Sequence, residues 1–334
     1  MTIETSPKVL IVSTKVDIAT DHVVLKLRNL GASLYRINTE DLPLIASSSI
    51  SFSNSHTSSW SWVSGSKGAD LDDIRSVWFR RHRLPVMPPE VAAPDVEYCL
   101  RESEWFLKGG VYSRGALARS VEWMSHPVNI QHAESKIYQL SVARSLGLAV
   151  PDTLISNDPE RIKGFFKKKE GEIVAKPLRL GYFDYGDRQT GVFTNRVSAD
   201  DLVEDEPLRM APVIYQELLT KLFDIRVTVV GQQVFAAAID SQSEPSAALD
   251  WRRTDNENLP HYAHDLPASV QDACLSYMAA LGLNFGALDF VLTPRNEYVF
   301  LEVNPNGQWV WIEEKLGFPI SEAIATWLLD KSRD

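Results

Sequence analysis

Cysteine is scarce in this chain, with two among 334 residues. Cys99 and Cys274 lie far apart, within apolar helical patterns, and form no metal-like spacing. Both read as buried free thiols, and neither sits in an arrangement that suggests nucleophilic catalysis. Basic charge is in deficit too, with 34 Lys and Arg against 44 Asp and Glu and a net charge of −10. That balance argues against a general nucleic-acid binder or an anionic-membrane binder, because each needs a basic face. No apolar run reaches the roughly 18 residues of a spanning helix. The N-terminus lacks the charged, apolar and small-residue series of a signal peptide. The expectation is a reducing, cytoplasmic location with no membrane and no nucleic acid among the partners. Internal repeats are missing, and the one biased patch is Ser-rich, over residues 47–68. What remains is ordinary globular material, 44% hydrophobic and 23% charged. The length suits two or three packed units or one large α/β assembly.

In chain order, residues 8–13 (KVLIVS) form a continuous apolar run, as in a buried parallel strand. A helix follows over 17–29 and stops at Gly31, then a strand over 33–38, giving an α/β unit with a parallel pair. Residues 47–68 place Phe52, Trp60 and Trp62 in alternation with polar residues and read as half-buried strands. A strand over 74–79 runs into Arg80, Arg81, His82 and Arg83. That cluster is either a solvated loop or an anion or acidic-peptide contact, since arginine forks match carboxylates and phosphates. Residues 94–124 are mostly helical, with a break or bend at Gly109–Gly110. Further on come a helix over 132–146, a strand over 152–156, a helix over 159–169 and a strand over 171–177 (GEIVAKP). Lys176 lies inside that last apolar run. It either meets an anion or snorkels to water at the strand end. Residues 178–191 (LRLGYFDYGDRQTG) read as a glycine-rich turn or lid, but fit neither a Walker A loop nor a dinucleotide fingerprint. An apolar strand over 213–219 precedes a hairpin of 224–230 with 234–240. The polar stretch 241–267 is long for a structureless loop. The helix over 268–282 carries a core stripe of Val270, Ala273, Cys274, Tyr277, Met278 and Leu281. A final helix over 321–331 turns Ile324, Trp327 and Leu328 inward.

Residues 287–304 (ALDFVLTPRNEYVFLEVN) carry the chemistry. Two apolar strands, 287–293 and 297–303, flank a Pro-Arg-Asn turn. Folding back there sets Asp289 opposite Glu302, on one face, about 5 Å apart at Cβ. Asn304 shares that face. Two like charges so close repel unless a cation lies between them, and an all-oxygen set suits Mg²⁺. The alternative is a hairpin with solvent-facing acids. Against it, Asp289 and Glu302 interrupt apolar runs, where unpaired charge is costly.

Lys136, Lys176 in IVAKP, the strand YQELL, DIRVTVVG and ALDF…LEVNPNG, in that order and spacing, resemble the ATP-grasp superfamily over about residues 129–307. VWFRRHRLP, DIRVTVVGQQVFAAAIDSQ and the later DWR are similar to the microviridin-type graspetide synthetases, relatives of the ribosomal S6 glutamate ligases. The resemblance implies an α/β ATP-grasp fold behind an N-terminal pre-grasp domain, with domains over 1–128, 129–212 and 213–334. It implies ATP and Mg²⁺ as cofactors. Lys136 and Lys176 would meet the phosphates. Gln216, Glu217, Leu218 and Leu219 would form the adenine hinge, with Asp224 near the ribose. Arg226 and Arg252 would face the γ-phosphate and the acyl phosphate. Asp289, Glu302 and Asn304 would hold Mg²⁺, with help from Asn306.

The implied activity is peptide macrocyclisation. An Asp or Glu side chain of a ribosomal precursor peptide becomes an acyl phosphate, then an ester with Ser or Thr or an amide with Lys. The alternatives are a ligase for free amino acids or protein termini and an ATP-binding regulatory protein without turnover. The resemblance also implies a homodimer. His82 departs from the family pattern, which has a shorter basic run before the Leu-Pro pair. No general base is legible.

Overall fold

The computed structural model describes residues 2–4, 7–54, 59–117, 121–179, 182–184, 189–191, 193–254 and 259–333. The chain packs as two compact units. One comprises residues 1–129, 282–285 and 308–334, the other residues 130–281 and 286–307.

In the first unit a parallel sheet runs in the order Leu34–Asn38, Val9–Ser13, Ser76–Phe79, Glu122–Trp123. Val9–Ser13 is buried along its whole length, as its unbroken apolar run requires. The helix Ile18–Asn29 starts where Asp17 accepts the Thr20 N–H, an N-cap that satisfies one of the first turn's orphan donors. A second sheet is ordered Thr2–Glu4, Lys67–Asp70, Ser59–Ser64, Ala46–Ser51. Its Trp60 and Trp62, two apart, share the buried face, whereas Phe52 is 71% exposed and falls outside the expected alternation. The helix Ala93–Leu117 passes straight through Gly109 and Gly110. Gly110 does not break it but lets it approach the sheet, since a Cβ there would lie 3.1 Å from both Ile50 Cδ1 and the Trp60 ring. Cys99 on this helix is half-buried rather than buried; Cys274 is buried as expected. The last helix, Ile320–Lys331, belongs to this unit. It packs on Ile18–Asn29, and its Leu328 carbonyl accepts the Ser76 hydroxyl at 2.8 Å.

Arg80 corrects both readings of the basic cluster at that position. It is neither solvated nor placed at an open anion site. Its side chain is fully buried, with the guanidinium 5.0 Å from the Trp309 ring centroid and 6.0 Å from that of Phe285. Nε lies 3.9 Å from the Asp17 carboxylate, and Nη2 donates to Gln308 at 3.3 Å. Asp17 also accepts the hydroxyls of Ser13 and Thr20. Arg83 is exposed at its side chain, but its backbone N–H and C=O are both tied to the Thr39 hydroxyl.

Among the described residues the second unit holds a short antiparallel pair, Tyr182–Asp184 with Gln189–Gly191, and two larger antiparallel sheets. One sheet runs Asn195–Arg196, Ile173–Lys176, Val213–Glu217, Thr153–Ser156. The other runs His261–Ala263, Gln233–Ile239, Phe223–Val230, Phe285–Leu292, Tyr298–Asn304. The expected helix over 132–146 is two helices, Pro127–Ala133 and Lys136–Ser145. Ser135 separates them by capping the second, its hydroxyl accepting the Tyr138 N–H. Val310–Leu316, in the first unit, is a further helix that the polar-apolar pattern did not announce. Residues 180–181 and 185–188 of the glycine-rich stretch, and 255–258 of the polar one, lie outside the described residues. Among the described residues no helix is long and apolar enough to cross a membrane.

Candidate functional site

The hairpin Phe285–Leu292 with Tyr298–Asn304 brings Asp289 directly opposite Glu302, and Ala287 opposite Asn304. A register shift makes this possible. Leu292, Val291 and Phe290 pair with Tyr298, Val299 and Phe300, so an unbroken ladder would set Asp289 against Leu301. One extra residue at Leu301 restores the pairing with Glu302. A bulge of this kind re-aims side chains and turns two successive residues toward one side. Leu301 and Glu302 both line the cleft described next.

That cleft is lined by groups from both sheets and from a helix. They include Lys136, Lys176, Lys221, Asp224, Asp250, Arg252, Asp289 and Glu302. Lys136 Nζ lies 3.0 Å from Glu302 and also donates to the Pro177 carbonyl at 3.3 Å. Arg226 donates through one guanidinium nitrogen to both oxygens of Asp289, at 2.9 and 2.8 Å. Arg252 grips Asp250 with two parallel bonds of 2.8 Å, its Nη1 standing 3.9 Å from Glu302. Gly307 leaves room for this arrangement. A Cβ there would collide with the Ala287 methyl and stand 2.9 Å from Arg226 Nη2.

The electrostatics follow from crowding these charges out of water. Burial alone would raise the Glu302 carboxyl, but Lys136, Lys176 and Arg252 outweigh it and hold it at about 2. Burial dominates at Asp289 and pushes it up, with Glu302 adding to the rise and Arg226 opposing it. Lys176 is pulled down to about 8, chiefly by burial; Glu302 works against the fall, Lys136 and Arg252 with it. Burial would also raise Asp250, yet the Arg252 fork keeps it at about 2. Arg252 itself is raised by its bond to Asp250.

An apolar slot continues from the cleft, sharing Lys176, Thr194, Lys221, Leu249 and Leu301 with it. Gln216, Glu217, Leu218 and Leu219 line the slot with Pro151, Val174 and Val291. The side chains of the first two are already engaged. Gln216 donates to the Thr153 hydroxyl at 2.9 Å. Glu217 accepts the Asp152 N–H at 2.9 Å and Lys169 at 2.7 Å. What this segment offers a ligand is therefore its backbone and the apolar faces around it.

The structure thus gathers Lys136, Lys176, Asp224, Arg252, Asp289 and Glu302 around one cleft, with Arg226 behind Asp289. It places Gln216–Leu219 in the adjoining slot. Asp224 is buried, and its oxygens are taken by Lys221 and by the Ser241 hydroxyl; burial pushes its carboxyl up. Asn304 is exposed, and its Oδ1 accepts the Asn306 N–H at 3.0 Å. Lys221 and Thr194 are additions to the sequence reading, and Asp250 entered it only as the first residue of DWR, with no role. Its signal was its place two residues before Arg252. Two opposed carboxylates and a neighbouring amide oxygen are hard donors of the kind Mg²⁺ takes. Among the described residues there is no group of three or more His, Cys, Asp or Glu that could hold a metal. A cation here would rest on two carboxylates, with further oxygens from the amide, water or phosphate.

Comparison with known proteins gives this cleft a setting. The family model for the MvdD pre-ATP-grasp domain matches residues 8–126. The chain is 34% identical to the macrocyclase MdnB of Microcystis aeruginosa, covering 97% of itself and 99% of that chain at a TM-score of 0.79. It is 28% identical to a RiPP-associated ATP-grasp ligase of Chryseobacterium gregarium, solved with ADP and a leader and core peptide. That match covers 97% of both chains at a TM-score of 0.89. It is also 25% identical over 228 residues to a probable alpha-L-glutamate ligase of Shewanella loihica, covering 65% of this chain and 72% of the relative.

Proposed function

This chain belongs to the ATP-grasp superfamily, among the microviridin-type peptide ligases, and from that premise we propose that it cross-links side chains of a ribosomally made precursor peptide. It is an ATP-dependent ligase. One observation carries the reading: Asp289 and Glu302 face each other in a cleft that Lys136, Lys176 and Arg252 also line, with Arg226 on Asp289 and an apolar slot alongside.

The roles follow from charge and shape. The slot at Gln216–Leu219 takes adenine between apolar side chains, with the Glu217 and Leu219 backbone meeting its polar edge. Asp224 and the Lys221 it holds lie on the ribose side. Lys136 and Lys176 neutralise phosphate oxygens. Asp289, Glu302 and Asn304 would hold Mg²⁺, which would supply positive charge to stabilise the phosphates during transfer. Lys136 and Arg252 now compensate Glu302, and both are long enough to turn from it to phosphate.

A peptide Asp or Glu carboxylate attacks the γ-phosphorus, the bond to the β-phosphate oxygen breaks and ADP leaves. Arg226 and Arg252 stabilise the charge that develops on the transferred group. A Ser or Thr hydroxyl, or a Lys amine, then attacks the acyl phosphate carbonyl. Phosphate leaves, and an ester or amide remains. The enzyme contributes positioning and charge rather than a covalent nucleophile.

The resemblance to a probable alpha-L-glutamate ligase favours a second reading, in which a free amino acid is joined instead. One incubation separates the two. With a Thr- and Asp/Glu-rich precursor peptide, ATP and Mg²⁺, the first reading expects the peptide to lose one water mass per cross-link as ADP accumulates. An unchanged peptide, with ADP released only when free amino acids are added, selects the second.

A further inference from the structure

Gln139 serves no role in the scheme above, yet it is 2% exposed in a helix that faces the carboxylate-bearing hairpin. Its side-chain amide is spent entirely on backbone. Oε1 accepts the Val303 N–H at 3.0 Å, and Nε2 donates to the Val303 carbonyl at 2.9 Å and to the Ala133 carbonyl at 2.5 Å. Val303 lies between Glu302 and Asn304. The amide therefore pairs with it as a neighbouring strand would, along the outer edge of Tyr298–Asn304, the last strand of its sheet.

The bulge explains why this pairing matters. The Phe300 N–H points off the same edge, to the Ala149 carbonyl at 2.8 Å. In an even strand the next outward residue would be 302. The extra residue at Leu301 makes it 303, which is where Gln139 binds. A one-residue slip reverses the face of every side chain beyond it. Without the bulge, Leu301 would oppose Asp289 and Glu302 would turn to the other side. Both registers bury apolar residues on this hairpin, so the ladder alone discriminates weakly between them. A buried amide left without its partners costs more than its bonds gain, and only the bulged register satisfies this one.

We propose that Gln139 is a positioning residue that locks the bulged register and thereby aims Glu302 at Asp289. Lys136, three residues earlier on the same helix face, pairs with the Glu302 carboxylate itself. One helix thus fixes both the backbone and the side chain of that ligand. The inference rests on the reading of Asp289 and Glu302 as the Mg²⁺ site.

The test is Gln139→Met, which keeps side-chain volume and helix propensity and removes all three bonds. The half-saturating Mg²⁺ concentration at saturating ATP should rise at least ten-fold, while the KM for peptide at saturating Mg²⁺ stays within two-fold. Deuterium uptake across residues 300–306 should speed up in the same variant. Should Gln139→Met fold poorly, Gln139→Glu keeps the acceptor for the Val303 N–H, loses both donors and should shift the Mg²⁺ response in the same direction. Glu302→Gln is run alongside. If it loses the Mg²⁺ response while both Gln139 variants keep theirs, the register lock is overturned and the metal site stands. If Glu302→Gln also responds normally, the metal site falls and the lock with it. A drop in melting temperature with an unchanged Mg²⁺ response makes Gln139 a packing residue only.

Discussion

Two clusters of buried charge in this chain use the same residue types to opposite ends. In the first unit Asp17 and Arg80 are 3% and 0% exposed, and the guanidinium is covered by Trp309 and Phe285. Hydroxyls from Ser13 and Thr20 and the Gln308 amide complete the set. In the second unit Asp289, Glu302 and their cations line an open cleft, and Lys136 and Glu302 keep 18% and 20% of their side-chain surface in contact with solvent. The sealed cluster is closed by its own partners and holds shape. The open cluster carries Glu302, whose cations Lys136 and Arg252 are long, partly solvated and able to change partner. Charge in an apolar setting thus becomes a functional signal only when a cleft reaches it.

The sharpest way to break this contrast is to substitute in the open cluster. Glu302→Ala should lower peptide-dependent ADP release by at least ~100-fold, the scale of losing one preorganised electrostatic group. It should leave the melting temperature close to that of the parent. Retained turnover would remove the functional half of the comparison. Arg80→Met should do the reverse. It removes the buried cation beside the Asp17 carboxylate and should cost about 3–5 kcal/mol of stability in denaturant unfolding. The KM for ATP of the folded fraction should not move. Gly307→Ala should fall between the two. The added methyl meets Ala287 and Arg226, so about 1–3 kcal/mol of strain and a weakened response to Mg²⁺ are expected together. Calorimetry and a Mg²⁺ titration would check both.

The smallest effect is a pH dependence. Lys176 has a folded pKa of about 8 against a usual 10.5. Between those values the unfolded chain binds the extra proton, so the site's cost to stability is present below pH 8 and relaxes as pH rises. Phosphate binding needs the charged form and should run the other way. The KM for ATP should therefore rise above about pH 8, and that rise should flatten in Lys176→Arg. A KM for ATP that stays level in the parent would place Lys176 off the phosphates.

Much of the open cluster was legible from residue pattern, because its chemistry interrupts apolar runs. Asp289, Glu302 and Lys176 each break a strand that would otherwise read as core. The strands themselves were plain, including the parallel pair at Val9–Ser13 and Leu34–Asn38 and the hairpin about Gly231. The bulge at Leu301 was not legible. It depends on competition between two ladders and on a helix more than 150 residues away in sequence, and Gln139 looks like any polar residue on a mixed helix. Arg80 misled for a related reason. Four charged or titratable residues in a row suggest solvent, and only tertiary packing reveals that the first of them is roofed by Trp309. Gly110 misled because glycine can mark close approach within a helix as well as a break.

The most direct measurement follows the oxygen. A precursor peptide whose Asp and Glu side chains carry heavy oxygen is cross-linked with unlabelled ATP in ordinary water, and the released phosphate is weighed. Activation as an acyl phosphate predicts one heavy oxygen in the phosphate for each ester or amide formed. Phosphate that leaves without label, while cross-links accumulate, would contradict attack of the peptide carboxylate on the γ-phosphoryl group at this cleft.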